Sequence, residues 1–355
     1  MPRHEQTTDL GTERSVVTSA PEPTDGSEQP RRRRRWRRVA LISLVVVLLL
    51  GGGAVIAGGL YLRSVESDID RVDAFEDVPV ESRPEPVAKG AMNIMILGSD
   101  SRDPESSGGS RSDTIILAHL PKDRSSAQLI SIPRDTWVPV PKSKNGHGGR
   151  DAKINAAYAW GGVPLMVQTV EKFTSVRIDH VAMVDFAGFK EIVDALGGIE
   201  VDVEKGFTTK YSLSGSRTFP AGPQTMDGAA ALDYARERHA FADGDFARIR
   251  HQQQVIKAIL DKAATGGVLA NPGKLNSFVK ATASAVAVDE SMSLVDFAME
   301  LRGLRGGNLA FFTCPSKGTG RVGSESVVFA DTAKAKVLFN AVRNDAVPEI
   351  LAAGK

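Results

Sequence analysis

The chain has 355 residues, with 44 Lys plus Arg against 43 Asp plus Glu, and 42% of its residues are hydrophobic. The near-balance hides a basic run from Arg31 to Arg38, beyond which the chain is slightly acidic. A basic tail on an acidic body excludes a general nucleic-acid footprint. The one cysteine, Cys314, excludes an intrachain disulfide and any Cys-cluster zinc site. It closes an apolar stretch and reads as a small buried core residue.

Residues 1–38 are polar, rich in Ser, Thr, Glu and Pro, and end in the Arg cluster. They cannot bury a core and are expected to form a disordered cytoplasmic tail. Residues 39–62 are uncharged and long enough to cross ~30 Å of hydrocarbon as a helix. Arginines directly before that span predict an uncleaved signal-anchor. The protein is then a single-pass membrane protein with a cytoplasmic N-terminus and an extracellular body. Residues 63–91 are charged and dotted with Pro79, Pro84 and Pro86, which reads as a stalk. One globular domain is expected over 92–350.

Within it, Met92 to Leu97, Thr114 to Leu120 and Ala127 to Ile132 read as strands. Ala152 to Phe173 has helical spacing, His180 to Val184 is a strand, and Phe186 to Leu196 a helix stopped by Gly197-Gly198. Ile199 to Val203 alternates as a strand; Phe246 to Ala263 is a long helix. A helix over Ser291 to Leu304, a strand over Asn308 to Thr313 and a helix over Asp331 to Arg343 complete the series. Interleaved strands and helices predict an α/β sheet layered by helices.

Four clusters carry candidate chemistry. Asp100 follows the first strand and Asp113 opens the second. If these strands pair antiparallel, both carboxylates meet at one sheet edge, a donor set suited to Mg²⁺ or Mn²⁺. Taken alone, each also reads as an Asx-turn or ordinary loop charge. Arg111 lies two residues before Asp113. Arg134 and Asp135 follow Pro133 at the end of the third strand, where a surface ion pair is the plainer alternative. Arg236 and Arg238, two apart, share a face if the chain there is extended. Asp245, Arg248 and Gln252 form one stripe on the next helix. Several guanidinium forks and an amide around one turn fit a multi-oxygen anion such as phosphate. The competing reading makes Asp245 a helix N-cap and the arginines a solvated face. Five of the six histidines lie beyond the tail and never pair at ligand spacing, and no serine-hydrolase, zincin, Walker or dinucleotide motif occurs. An Arg-rich site with acidic metal ligands points to phosphoryl chemistry.

Several stretches between Met92 and Ala263 resemble the LytR–CpsA–Psr family. They are Met95-Ile-Leu-Gly-Ser-Asp100, Arg111-Ser-Asp113-Thr, Ser131-Ile-Pro-Arg134-Asp135, Lys153-Ile-Asn155-Ala-Ala-Tyr158, Asp194-Ala-Leu-Gly-Gly198, Phe219-Pro-Ala-Gly222, Met226-Asp-Gly228 and the block from Arg236 to Gln253. The resemblance implies a three-layered α/β/α sandwich around a mixed central sheet, with an apolar tunnel for a polyprenyl chain. It implies Mg²⁺ on Asp100 and Asp113, and diphosphate held by Arg111, Arg134, Arg236, Arg238, Arg248 and Gln252. The implied enzyme is a phosphotransferase that moves a glycan 1-phosphate from a polyprenyl-pyrophosphate donor to peptidoglycan, releasing polyprenyl phosphate. Arg134, Arg236, Arg238 and Arg248 would neutralise charge, and Asp135 or Asp245 would take the acceptor proton. One position departs from the family's Arg-x-x-Arg-Gln-Gln: His251 replaces the second Arg, and the adjacent Arg250 is the candidate substitute, although it points about 100° away on a helix. Two other functions use the same residues: hydrolysis of the lipid pyrophosphate, or non-catalytic lipid sensing.

Overall fold

The computed structural model describes residues 64, 66–67, 69–99, 112–209, 215–265, 267–268, 271–293, 297 and 308–347. The expected tail and membrane span lie outside the described residues. Among the described residues no helix is long and apolar enough to cross a membrane.

In chain order the elements are β1 (Asp70–Val72), β2 (Met92–Ser99), β3 (Ser112–Leu120), β4 (Ala127–Ser131), β5 (Trp137–Val140), β6 (Arg150–Lys153) and α1 (Ala156–Thr174). Next come β7 (His180–Asp185), α2 (Phe186–Ala195), β8 (Ile199–Val203), β9 (Phe207–Thr208), β10 (Thr218–Phe219) and β11 (Gly222–Met226). The last are α3 (Gly228–Arg236), α4 (Asp245–Thr265), α5 (Pro272–Ala285), β12 (Val286–Asp289), β13 (Leu309–Thr313), β14 (Ser316–Val322), β15 (Glu325–Ala330) and α6 (Thr332–Arg343).

Seven strands form the central sheet, in the order β1-β12-β7-β2-β3-β4-β13. β2 and β3 pair antiparallel, as do β3 and β4; β7 runs parallel to β2 and β13 parallel to β4. Strands β2, β4, β7 and β13 therefore point the same way, and their carboxyl ends share one edge with the amino end of β3. In α/β sheets, ligands gather beyond such carboxyl ends.

Strand alternation gives the sheet two apolar faces. Met95, Leu97, Ile115, Leu117 and Ile130 pack against α1 and α6, including Tyr158, Val167 and Phe339. Ile94, Ile116, Ala118, Leu120 and Leu129 face the opposite layer, with Ile256 of α4 and Val279 of α5. A third cluster joins α2, α3 and α4 to the β8–β11 ribbon through Val193, Tyr234, Val255 and Met226. The architecture is a mixed sheet between two helical layers. Helices α2 and α5 approach closely because residue 188 is glycine: a Cβ there would lie 2.6 Å from the Ala285 Cα.

The stalk expected over 63–91 is corrected. Strand β1 joins the sheet beside β12, and Ile69, Val72, Ala74 and Val78 are buried. Arg83 also reaches into the domain, where its Nη2 donates to the buried Glu171 Oε1 at 2.9 Å. The expected domain start at Met92 thus falls after residues that belong to the core. The helix predicted from Ala152 starts at Ala156, because 150–153 pairs with β5 as a hairpin strand. Most of the helix expected over Ser291 to Leu304 lies outside the described residues. Cys314 is buried as expected, and burial pushes its thiol up to about 12.

Candidate active site

The site is assembled at the shared sheet edge. Gly98 pairs with Thr114 and Ser99 with Ser112, so Asp113 is the extra residue of a β-bulge. Bulges re-aim side chains next to functional sites, and here Asp113 lines a cavity. Pro133 ends the neighbouring strand region, with a turn closed by the Thr136 N–H on the Pro133 carbonyl at 3.0 Å. That turn presents Arg134, whose Nη1 pairs with the Asp113 carboxylate. Arg134 Nε lies 3.9 Å from both Asp135 and Asp245.

On the opposite wall, Arg236 is the last residue of α3, not part of an extended pair with Arg238 as expected. Its guanidinium lies 4.3 Å from the centroid of the Phe186 ring. Glu237 caps that helix in extended conformation and turns the chain so that Arg238 still lines the same cavity. Asp245 is the first residue of α4. It does not cap the helix, since its carboxylate accepts from no backbone N–H. It pairs with Arg248 Nη2 instead.

Arg248 is 4% exposed; its Nη2 is engaged by Asp245, but its Nε lacks a hydrogen-bond partner, as does Arg134 Nε. Burial pushes the Asp245 carboxyl above its ordinary range, against the pull of Arg248 and Arg134. Burial likewise lowers the Arg248 guanidinium, which Asp245 opposes. Buried guanidinium donors without hydrogen-bond acceptors are costly. An anion with several oxygens would satisfy them.

These groups stand at one end of a cavity of about 570 Å³, within the range of small-ligand sites. Asp113, Arg134, Arg236, Arg238, Arg248 and Gln252 all line it. Most of the remaining wall is apolar. The sheet contributes Ile96, Ile116, Ala118, Leu120 and Leu129, α2 contributes Phe189 and Ile192, and α4 contributes Val255, Ile256 and Ile259. Asp135 and Asp245 are not among the lining residues, but each lies near Arg134. Asp100 and Arg111 lie outside the described residues. Asp233 and Glu237 also line the cavity and were missed. Asp233 is ion-paired with Arg217 and Glu237 is engaged by the backbone N–H groups of His239 and Ala240. The sequence holds no signal separating them from surface acids. Asp185, another lining residue that was missed, is the N-cap of α2, accepting from the Gly188 N–H at 2.6 Å.

His251 faces away from the cavity. It is buried among Phe207, Tyr234 and Phe241, with its ring 6° from parallel to Phe207. Arg250 pairs with Asp243 at 2.6 Å on the surface. Neither therefore joins the anion site, and Arg250 does not substitute for an arginine at position 251. Gln253 ties α4 to the sheet edge, donating to Ser131 Oγ and to the Phe312 carbonyl, both at 3.1 Å.

A family model described as the LytR_cpsA_psr family matches residues 62–344. The chain is 32% identical over 307 residues to the cell wall biosynthesis protein LcpA of Corynebacterium glutamicum, a match covering 74% of this chain and 57% of that one. It is 35% identical over 232 residues to the polyisoprenyl-teichoic acid–peptidoglycan teichoic acid transferase TagU of Bacillus cereus, covering 61% and 70%. The crystal structure of B. subtilis TagV superposes with a TM-score of 0.61 at 26% identity, covering 73% of this chain and 98% of that one. Since the family model spans most of the chain and includes every element of the sheet and the site, the chain belongs to the LytR_cpsA_psr family.

Proposed function

We propose that the chain is a phosphotransferase that moves a glycan 1-phosphate from a polyprenyl-pyrophosphate donor to a peptidoglycan hydroxyl. One observation carries this reading: a largely apolar cavity about 570 Å³ in volume is lined at the sheet edge by four arginines, two of which have a buried Nε without an acceptor. An amphiphile with an anionic head and a hydrocarbon tail matches that polarity. The transferase name of TagU supports the same chemistry.

In this reading the prenyl chain lies against Ile116, Leu129, Ile256 and Ile259, and the diphosphate meets Arg134, Arg236, Arg238, Arg248 and Gln252. The acceptor hydroxyl oxygen attacks the phosphorus bearing the glycan. Its bond to the bridging oxygen breaks, and polyprenyl phosphate leaves with that oxygen. The guanidinium groups neutralise the charge that grows there. The hydroxyl proton passes to Asp135, whose side chain is 21% exposed, whereas Asp245 is enclosed between two arginines and organises them.

Asp113 presents a hard oxygen donor at the cavity mouth, and Asp100 follows Ser99, which pairs beside it. That donor chemistry fits Mg²⁺ or Mn²⁺, which when bound would add charge neutralisation at the phosphates. Residues 39–62 anchor the protein in the cell membrane with the Arg cluster inside, which puts the site on the side of the wall acceptor.

The test uses the full chain in detergent, a polyprenyl-diphosphate glycan donor and peptidoglycan. Arg236→Ala and Asp113→Ala should abolish transfer while circular dichroism stays native. Wild-type rates in either variant refute the assignment. Product analysis without acceptor separates transfer from hydrolysis, and a sensor gives no turnover at all.

A further inference from the structure

The β5–β6 hairpin carries residues that the donor site does not use. Its inward face is apolar: Val138 and Ala152 are buried opposite each other. Its outward face pairs Trp137 with Lys153 directly across the ladder. Asp135, in the turn just before β5, is brought to this face through Lys153. Lys153 Nζ lies 3.4 Å from Asp135 Oδ1 and 4.0 Å from Glu325 Oε2 on β15. The lysine thus stands between the partly exposed Asp135 and the exposed Glu325, beside a partly exposed indole. The other tryptophan of this region, Trp160, has its ring covered by Arg150, 5.1 Å from the centroid.

This patch adjoins the mouth of the cavity. Asp135 directly follows Arg134, and the two side chains approach to 3.9 Å. We propose that Trp137, Lys153, Asp135 and Glu325 form the acceptor subsite, which takes a saccharide. An indole with one wet edge suits the C–H face of a sugar ring. Carboxylates held by a lysine supply convergent hydrogen-bond groups for sugar hydroxyls. A sugar on Trp137 would bring a hydroxyl past Asp135 towards a phosphorus held by Arg134. The proposal rests on the transferase reading for its purpose, but its binding arm is independent of turnover.

The experiment uses the full detergent-solubilised chain with Trp137→Ala, Trp137→Phe and Lys153→Met. Trp137→Ala should raise the KM for lysozyme-solubilised peptidoglycan about tenfold, the upper end expected for one aromatic contact. Trp137→Phe should keep most of the affinity, and farnesyl diphosphate should bind all variants as it binds the wild type. Lys153→Met should raise the acceptor KM in the same direction. An acceptor KM for Trp137→Ala within about twofold of wild type overturns the proposal. So does a parallel loss of farnesyl diphosphate affinity, which would put Trp137 in the donor site. If the wild type transfers nothing, titration with chitotetraose still decides. Tryptophan quenching that disappears in Trp137→Phe supports the subsite while the transferase reading fails; no quenching in the wild type sinks the subsite.

Discussion

Acidification from about pH 7.5 to about pH 5 should cost the folded chain about 2 kcal/mol through His251 alone, and His251→Phe should remove that loss. The imidazole is enclosed by three aromatic rings, and burial lowers it from 6.5 to about 4, with Arg250 adding in the same direction. A histidine whose folded value is depressed binds its proton more readily in the unfolded chain. The stability it contributes is therefore complete above its unfolded value of 6.5 and is lost as pH falls towards 4. Linkage between these two values gives about 2 kcal/mol at pH 5 and about 3 kcal/mol at pH 4. Phenylalanine retains the ring stacking with Phe207 and does not titrate. The assay is urea denaturation followed by circular dichroism, with wild type and His251→Phe compared at each pH. The difference between the two cancels groups common to both, including Asp245, whose raised value gives the opposite slope. Parallel stability curves between pH 6.5 and pH 4.5 would refute the reasoning. They would mean that the ring is hydrated and that α4 is not seated as described.

Three further outcomes follow from particular contacts. Arg248→Met removes a charged donor from the diphosphate and should weaken farnesyl diphosphate binding about 10- to 150-fold, read by calorimetry. Ala118→Trp fills the apolar part of the cavity, where Ala118 lines the sheet wall. It should abolish binding of long prenyl phosphates but leave inorganic pyrophosphate binding intact, as competition assays would show. Arg83→Met leaves the buried Glu171 carboxylate with the Ile178 N–H but without its cation. Urea midpoints should report a loss of about 3–5 kcal/mol; a free stalk would show none.

Much of this arrangement was readable from residue order. Short apolar runs bounded by polar or turn residues placed β2, β3, β4, β7 and β13 to within two residues at either end. The antiparallel β2–β3 pairing needed to bring Asp113 to the sheet edge is present. The stripe Asp245, Arg248, Gln252 follows from helical geometry alone. Strand β1 and the Arg83–Glu171 pair were hidden because three residues of strand and one long-range ion pair leave no periodic trace. Prolines 79, 84 and 86 read as a linker, yet the same rigidity lets the segment wrap a folded surface. Position 251 was ambiguous for a different reason. Helical angle separates it from Gln252 but cannot say which neighbouring layer it meets. The partners that decide, Phe207 and Phe241, come from β9 and from the segment before α4.

The mixed polarity of α4 explains why anion site and apolar cavity are inseparable in this fold. Arg248 and Gln252 occupy its first turns and Val255, Ile256 and Ile259 its next ones, all along the wall of one cavity. A rise of about 1.5 Å per residue spreads Arg248 to Ile259 over roughly 16 Å of a single rigid rod. Under the proposed function, head and tail of the amphiphile would be read by one element, with the distance between charge and hydrocarbon fixed by the helix rather than by loop placement. The contacts of Gln253 with Ser131 and Phe312 pin that rod to the ends of β4 and β13. His251, buried on its other side among aromatic rings, anchors it to the β9 and α3 region. A histidine at 251 is then understandable: this face of α4 meets an apolar wall, where a charged guanidinium would carry a desolvation cost with no anion to offset it.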